Sequence, residues 1–238
     1  MRTTSLSRTA YLTAACMVLI YMLAISFKSY VFYVDPPVDT TLRTAMFKGG
    51  WPLYLASSAV MLVGSFVILY PFVVICVHNF PVSPTASVTA LLGIFFFFGV
   101  KICLLAISLF RIQRILPDLM MEMNGPGVQE GILGEYYQFL KLYRYLDFPV
   151  TAAGMVSSFL LLRTSSSQYP LNRLIKLALG INLLYLSVHF ADLLLSLSAL
   201  QDYNRTLCLP VELLIYGLIF IWLMSAPTVF ISRSENGL

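Results

Sequence analysis

The sequence predicts an all-α membrane protein, a single integral domain over residues 1–238 in which six transmembrane helices form a bundle. Hydrophobic residues make up 59% of the chain and charged residues only 11%, whereas an ordinary soluble domain has about 25% charged residues. The mean hydropathy is +0.83, and six apolar segments approach the roughly 20 residues that one membrane crossing requires. The predicted spans are residues 10–27, 51–77, 86–110, 148–162, 177–199 and 209–230.

Prolines mark the boundaries and one irregularity of the first three spans. The first apolar run is longer than that of a signal peptide and no small-residue cleavage site follows it, so we interpret it as a membrane helix that Asp-Pro-Pro at 35–37 ends. Pro71 lies inside the second span and predicts a kink, because proline has no N–H for the helical hydrogen bond. Residues 78–84 contain two prolines and leave room only for a tight turn. The second and third spans are therefore predicted to form an antiparallel hairpin.

The longest predicted connection, residues 111–147, contains a different kind of helix. Apolar side chains recur at helical spacing from Ile132 to Leu146, with charged or amide side chains between them. This pattern predicts an interfacial amphipathic helix in the headgroup region, between the third and fourth spans. Docking of a partner protein is the alternative use of its apolar face. In the fourth span, small residues four positions apart, at 153 and 157 and at 154 and 158, permit close approach of a neighbouring helix.

The fifth span carries a polar stripe. Its polar residues are separated by three, four, three and four positions, so they fall within about 80° of one another on one face of an α-helix. A continuous polar face cannot be turned towards hydrocarbon. We therefore expect the other spans to shield this face and the fifth helix to be the centre of the bundle. The stripe consists of Asn182, Tyr185, His189, Asp192 and Ser196.

Lys101 and Glu212, on the third and sixth spans, extend this stripe into a predicted polar cluster. Lys101 and Asp192 lie past the midpoints of parallel spans, in the same half of the bilayer. We expect them to form an ion pair, with His189 one turn away sharing the proton, because one unpaired charge costs about 3 kcal/mol at the centre of a membrane helix. In the alternative, Lys101 extends to the interface and Asp192 is neutral. The predicted cluster comprises Lys101, Asn182, Tyr185, His189, Asp192, Ser196 and Glu212.

The orientation in the membrane is weakly encoded. Lysines and arginines in the predicted loops slightly favour termini outside the cytoplasm. The sequon Asn204-Arg205-Thr206 argues for the reverse, because a glycosylated asparagine must face the lumen or the exterior. We predict cytoplasmic termini, with Asn204 as the candidate glycosylation site. The plasma membrane and the internal membranes both stay open as the location.

The sequence favours a non-catalytic protein over an enzyme. Its two histidines, His78 and His189, exclude multi-histidine di-iron sites, and it has neither an HExxH zinc motif nor a Gly-x-Ser-x-Gly turn. It also has no glycine-rich phosphate loop, so we expect no cofactor and no metal. The four cysteines do not form a disulfide framework, since no predicted loop holds two of them. The absence of a basic run argues against a nucleic-acid partner.

Two short segments resemble a known family. Gly49-Gly50-Trp51 at the start of the second span and residues 163–170, Arg-Thr-Ser-Ser-Ser-Gln-Tyr-Pro, after the fourth are similar to the corresponding segments of the androgen-induced six-pass lipid hydrolases. The activity of that family relies on a threonine in the second helix and a histidine near the start of the fourth. This chain has Leu55 or Ala56 at the first place and residues 148–151, Phe-Pro-Val-Thr, at the second. The resemblance therefore transfers no catalytic residue.

Three functions of different classes stay open. The first is a non-catalytic membrane protein whose polar interior serves helix packing or assembly with a membrane-protein partner or a second copy of the chain. The second is a small transporter or channel subunit that uses Lys101, His189 and Asp192 along a hydrated path, although no inverted repeat or broken helix pair supports it. The third is an intramembrane lipid hydrolase of the androgen-induced type. In all three, the lipid bilayer is the immediate partner of the chain.

Overall fold

Every element in the described residues is helical. The structure is a computed structural model that describes residues 6–34, 51–122, 126–165, 172–195 and 198–235, with side chains described for all of these except residues 126, 198–206 and 226–235. In chain order the elements are α1 (Arg8–Val34), α2 (Pro52–Val67), α3 (Leu69–Asn79), α4 (Pro84–Ile107), a π-helical stretch (Ser108–Ile115), α5 (Leu116–Glu122), α6 (Pro126–Thr164), α7 (Asn172–Leu195) and α8 (Ser198–Glu235).

Six helical segments within the described residues are long and apolar enough to cross a membrane, so the predicted number of spans is confirmed by length and composition. Each segment extends beyond its predicted apolar run at one end or both, because polar residues next to an apolar run continue a helix unless glycine or proline stops it. Helix α1, for example, continues to Val34 and includes Lys28. The six segments are Arg8–Val34, Pro52–Asn79, Pro84–Glu122, Gly127–Thr164, Asn172–Leu195 and Leu207–Ser225.

The second segment is broken in its middle. Helix α2 ends at Val67 and α3 begins at Leu69. Pro71 lacks the N–H that would otherwise bond to the carbonyl of Val67, four residues earlier, so the break lies where the proline removes a helical hydrogen bond. Residues 80–83 then connect α3 to α4, which confirms the predicted hairpin of the second and third spans.

The predicted surface helix is not a separate element. Helix α6 runs without interruption from Pro126 to Thr164, so residues 132–146 and the predicted fourth span belong to one helix of 39 residues. No glycine or proline lies between Glu135 and Phe148, and Pro149 removes only one backbone hydrogen bond. Nothing therefore ends the helix where charged residues give way to apolar ones. An interfacial position for its first half stays a prediction.

The first half of α6 packs on the residues that precede it in the chain. Ile132 belongs to a small buried cluster with Ile112, Leu116 and Met120. Beside this cluster, the Arg111 guanidinium donates two hydrogen bonds to the carboxylate of Glu135, with N···O distances of 2.6 and 3.0 Å. Part of the apolar face that the sequence assigned to the membrane surface is thus covered by the chain itself.

The last two helices also differ from their predicted boundaries. Helix α7 covers Asn172–Leu195 rather than residues 177–199, and the predicted loop at residues 201–207 is helical within α8. The loop prediction was wrong because its polar residues include no glycine or proline, and polarity alone does not end a helix. Asn204 therefore lies on a helix, with its side chain outside the description.

Helix α7 is not the centre of the bundle. Within the described residues it packs extensively against α6 and α8 alone, whereas α4 packs against α2, α3 and α6. The main core is instead formed by α1, α3, α4 and α8, together with Leu161 and the start of α7. The expectation of a central helix was wrong because the polar stripe of α7 borders a cavity rather than packed side chains.

Small residues bring α4, α6 and α7 close together, as the fourth-span pattern predicts. A Cβ atom added at Gly93 of α4 would overlap the Oγ of Ser157 and lie 3.3 Å from the carbonyl oxygen of Ala153, both on α6. A Cβ added at Gly154 of α6 would lie 2.8 Å from the Phe97 ring and 3.1 Å from the Leu186 side chain.

The contact at Gly93 gives a first prediction. Gly93→Ala should lower the free energy of unfolding by about 1–3 kcal/mol, the usual cost of an extra methyl group in a packed interior. Removing the Ser157 hydroxyl in the double variant Gly93→Ala/Ser157→Ala should restore most of the loss, as measured by denaturant titration in detergent. Gly99→Ala is the matched control, since nothing lies within 4 Å of a Cβ there. Equal losses at Gly93 and Gly99 would contradict the close packing.

Candidate functional site

A large cavity lies inside the bundle. Its volume is about 1080 Å³, and residues from all six span-length segments line it. Ligand-binding pockets commonly measure about 300–1,000 Å³, so the space is large enough for a molecule of many atoms. The wall is mixed, because charged and hydroxyl-bearing side chains alternate with aromatic and aliphatic ones.

The structure brings together five of the seven residues of the predicted polar cluster. Asp192 lies on α7 but is not among the residues that line the cavity, and Ser196 lies outside the described residues. The five residues on the cavity wall are Lys101, Asn182, Tyr185, His189 and Glu212.

The expected ion pair between Lys101 and Asp192 is not formed. The Lys101 ammonium lies 4.1 Å from the centroid of the Phe97 ring, a cation–π distance, and no ion pair joins it to Asp192 in the described part of the chain. The two residues have similar depths, but α6 packs against both α4 and α7. The positions of Lys101 and Asp192 along their spans predicted that the two residues lie at the same depth in the bilayer. These positions could not predict which helices are neighbours.

His189 pairs with a residue that the sequence analysis assigned to a connection. Its Nε2 atom lies 2.9 Å from Oδ2 of Asp147, and both side chains are mostly buried. Asp147 reaches this position because α6 continues through residue 147. About two turns away on α7 and three turns away on α6, the Asn182 amide donates to the Ser158 hydroxyl at 2.8 Å. These two contacts join α6 to α7 along one wall of the cavity.

A second polar group lines the cavity where α7 meets α8. Cys208 on α8 lies close enough to Tyr185 and Glu212 to interact electrostatically with both. Glu212 is close enough to Lys28 and Lys101 to interact electrostatically with both ammonium groups. The polar stripe of α7 thus meets charged residues from α1, α4 and α8 across the cavity.

Several lining residues were missed by the sequence analysis. Lys28 was placed just past the first span and Asp147 in the long connection. Tyr21 and Tyr216 pack edge to face, with ring centroids 4.8 Å apart. Helical spacing would have found part of this set. Residues 143, 147, 151, 154 and 158, all on the cavity wall, repeat on α6 the kind of spacing that revealed the stripe on α7.

An aromatic cluster joins the helices at one end of the bundle. This end, where α1, α4 and α7 begin and α3 and α6 end, is called the terminal end. The Tyr11 hydroxyl lies 2.7 Å from Nδ1 of His78. The Trp222 ring packs edge to face on both, with centroid distances of 6.0 Å to Tyr11 and 5.1 Å to His78. Its indole N–H donates to Oδ1 of Asn172 at 3.3 Å. The opposite end is called the distal end.

The ionisable residues of the cavity form one layer near the distal end. Lys101, Asp147 and His189 each lie seventeen residues from the terminal end of their helix, which is about 26 Å at a rise of 1.5 Å per residue. Lys28 lies twenty residues from the start of α1, about 30 Å along it. Towards the terminal end, no charged residue lines the described wall, where Phe72, Ile94, Leu161 and Leu179 stand beside the hydroxyl groups of Ser157 and Ser158. The cavity therefore has a charged end and an uncharged, largely apolar end.

The described residues contain no group of three or more His, Cys, Asp or Glu side chains that could hold a metal ion. Comparison with known proteins gives no further lead, since no protein-family model, no curated protein and no solved structure matches the chain. Most of the residues that resemble the lipid hydrolases, including 49–50 and 166–170, lie outside the described part of the chain.

Proposed function

We propose that this chain is a multi-pass membrane protein that binds a small amphipathic molecule inside its helix bundle. The observation that carries the proposal is the cavity of about 1080 Å³, whose wall joins a layer of ionisable side chains to an apolar region. Ionisable residues inside a membrane domain are costly and commonly belong to a ligand or ion site. A molecule with one polar and one apolar end would satisfy both parts of this wall.

The outer surface supports insertion in a bilayer. Large apolar side chains point outward at positions where a soluble bundle would expose polar groups, and such patches are uncommon on soluble monomers. Leu23, Val63, Phe66, Leu92 and Leu184 are each more than half exposed. Hydrocarbon is the natural partner of this surface, and the polar side chains are turned towards the cavity instead.

The cavity favours ligand binding over the other functions that the sequence left open. Helix packing alone needs no empty volume of this size, and it is served by the small residues of α4 and α6. A hydrated path for ion transport needs charged or strongly polar side chains at both ends, whereas no charged side chain lines the described wall near the terminal end and the aromatic cluster around Trp222 lies beyond it.

Six crossings require both termini to lie on the same side of the membrane. Epitope tags placed before Met1 and after Leu238 should show equal protease accessibility in sealed vesicles. A tag inserted at residues 123–125, between α5 and α6, should show the opposite accessibility. Unequal accessibility of the two terminal tags would contradict six crossings.

The binding proposal is tested by filling the cavity. Leu186 lines it, whereas Leu184 on the same helix is 67% exposed on the outer surface. In native mass spectrometry of the purified chain in mild detergent, we expect one bound amphiphile per chain for the wild type. Leu186→Trp should remove it, and the matched control Leu184→Trp should retain it.

A second variant that fills the cavity keeps the test decisive if Leu186→Trp does not fold. Ser65→Leu fills the cavity from the α2 wall, and both filling variants are scored only as monodisperse protein with a thermal transition. Equal occupancy of the wild type and of a folded filling variant would refute binding inside the cavity. An unoccupied wild type that takes up no added amphiphile would refute the proposal as a whole.

A further inference from the structure

We infer that the ligand is an anionic amphiphile whose headgroup binds between Lys28 and Lys101, with its tail directed towards the terminal end of the bundle. This inference rests on the proposed function, because it names the chemical class of the molecule that the cavity binds. A carboxylate and a phosphate monoester share the chemistry that two ammonium groups recognise.

The two lysines lie at the same end of the cavity. Lys28 on α1 and Lys101 on α4 both line the cavity near its distal end. They are close enough to repel each other electrostatically. Two like charges that face one cavity in a membrane domain are unfavourable unless an anion lies between or beside them. The residues around them must supply that anion, or a ligand must.

The positive charge of this layer is not fully balanced by the residues around it. Among the described residues, no carboxylate lies within ion-pair distance of either ammonium group. Glu212 interacts with both lysines at longer range and can compensate at most one positive charge. Asp147 is already engaged by His189. At least one positive charge is therefore left for an anionic headgroup.

The largely apolar end of the cavity offers room for an alkyl tail. On α6, fourteen residues separate Asp147 from Leu161, which is about 21 Å along the helix. Phe72, Ile94 and Leu179 line the same region from three other helices. An alkyl tail that enters this space gains burial against side chains, and its direction is fixed because the only charged layer is at the other end of the described wall.

The experiment compares four single-chain probes that differ only in the headgroup: palmitate, cetyl phosphate, cetyl alcohol and cetylamine. Binding is measured by native mass spectrometry with the full chain. The two anionic probes should bind at least about tenfold more tightly than the neutral and cationic ones, because hydrogen bonds to charged groups are commonly worth one to two orders of magnitude in affinity. The tighter of the two anionic probes identifies the headgroup.

Lysine variants locate the headgroup. Lys28→Met and Lys101→Met keep the length of the side chain and should each weaken palmitate or cetyl phosphate about tenfold, while cetyl alcohol is unaffected. Lys101→Arg should retain the preference for anions. Lys141→Met is the matched control, because Lys141 packs over Tyr137 and does not line the cavity. A palmitate with a diazirine near its methyl end should label peptides around Ile94 and Leu179.

The outcomes separate this inference from the proposed function. Four probes that bind equally, and are all excluded by Leu186→Trp, would overturn the anionic headgroup and leave the amphiphile site intact. An unchanged affinity of folded Lys28→Met and Lys101→Met for the anionic probes would also overturn the anionic headgroup and leave the amphiphile site intact. Diazirine labelling near Lys101 instead of Leu179 would overturn the direction of the tail. Failure of Leu186→Trp to exclude any probe would refute the proposed function itself.

Discussion

Replacement of Trp222 by alanine is expected to lower the free energy of unfolding by about 3–5 kcal/mol, the usual cost of deleting a fully buried large aromatic side chain. Trp222 is 1% exposed and packs against Tyr11 and His78. Its N–H also donates to Asn172. The indole therefore joins four helices, α1, α3, α7 and α8, at the terminal end of the bundle.

The contribution of the indole hydrogen bond can be separated from that of ring packing. Trp222→Phe keeps an aromatic ring in the cluster and removes the donor to Asn172, so its loss should fall well below that of Trp222→Ala. Ile221→Ala is the matched control, because Ile221 is the adjacent residue and is 49% exposed. Denaturant titration in detergent measures all three. A loss for Ile221→Ala as large as that for Trp222→Ala would contradict the role of the cluster.

The aromatic cluster shows where prediction from the sequence stops. His78 could be placed at the end of the second span and Tyr11 at the start of the first, because proline and the polar N-terminal segment mark those boundaries. That Tyr11 and His78 lie at the same end of the bundle follows from the opposite directions of the first two spans. Their contact with Trp222 does not follow, because nothing in the periodicity of one helix states which helix is its neighbour.

The polar stripe shows what periodicity can predict. Asn182, Tyr185 and His189 stood out because α7 is apolar around them, and a polar face at helical spacing must be shielded from hydrocarbon. The inference that the face is covered agrees with its position on the cavity wall. The inference that α7 is the central helix does not agree with the structure, because a polar stripe can be shielded from hydrocarbon by a cavity as well as by packed side chains.

Asp147 was missed for a physical reason. The segment before it is rich in charged residues, so the apolar run that predicts a span begins only after residue 147. The polarity of a helix and its continuity are separate properties, and continuity is decided by backbone hydrogen bonds and by the absence of glycine and proline. The same reasoning applies to Lys28, which follows the apolar run of the first span but lies well inside α1.

The contact between Asp147 and His189 should be strongly coupled in a double-mutant cycle. Asp147→Leu leaves the imidazole without its acceptor, and His189→Leu leaves a carboxylate in the cavity wall without its partner. Each single variant should therefore be less stable than the wild type. The double variant Asp147→Leu/His189→Leu removes both polar groups and should lose less than the sum of the two. Residues in direct contact commonly show interaction energies of about 0.5–3 kcal/mol.

The partial exposure of the pair, 28% for His189 and 18% for Asp147, places the expected interaction energy below the upper end of that range, because water screens charges that it can reach. Asp147→Asn keeps a hydrogen-bond acceptor at the same position, so it should cost less than Asp147→Leu. Pairing His189→Leu with Gly99→Ala gives the additive control, since nothing lies within 4 Å of a Cβ at Gly99. If the two leucine substitutions prove as additive as this control pair, the hydrogen bond between Nε2 and Oδ2 does not hold α6 against α7. The two helices must then be held together by the hydrogen bond of Asn182 to Ser158 and by the close packing at Gly154.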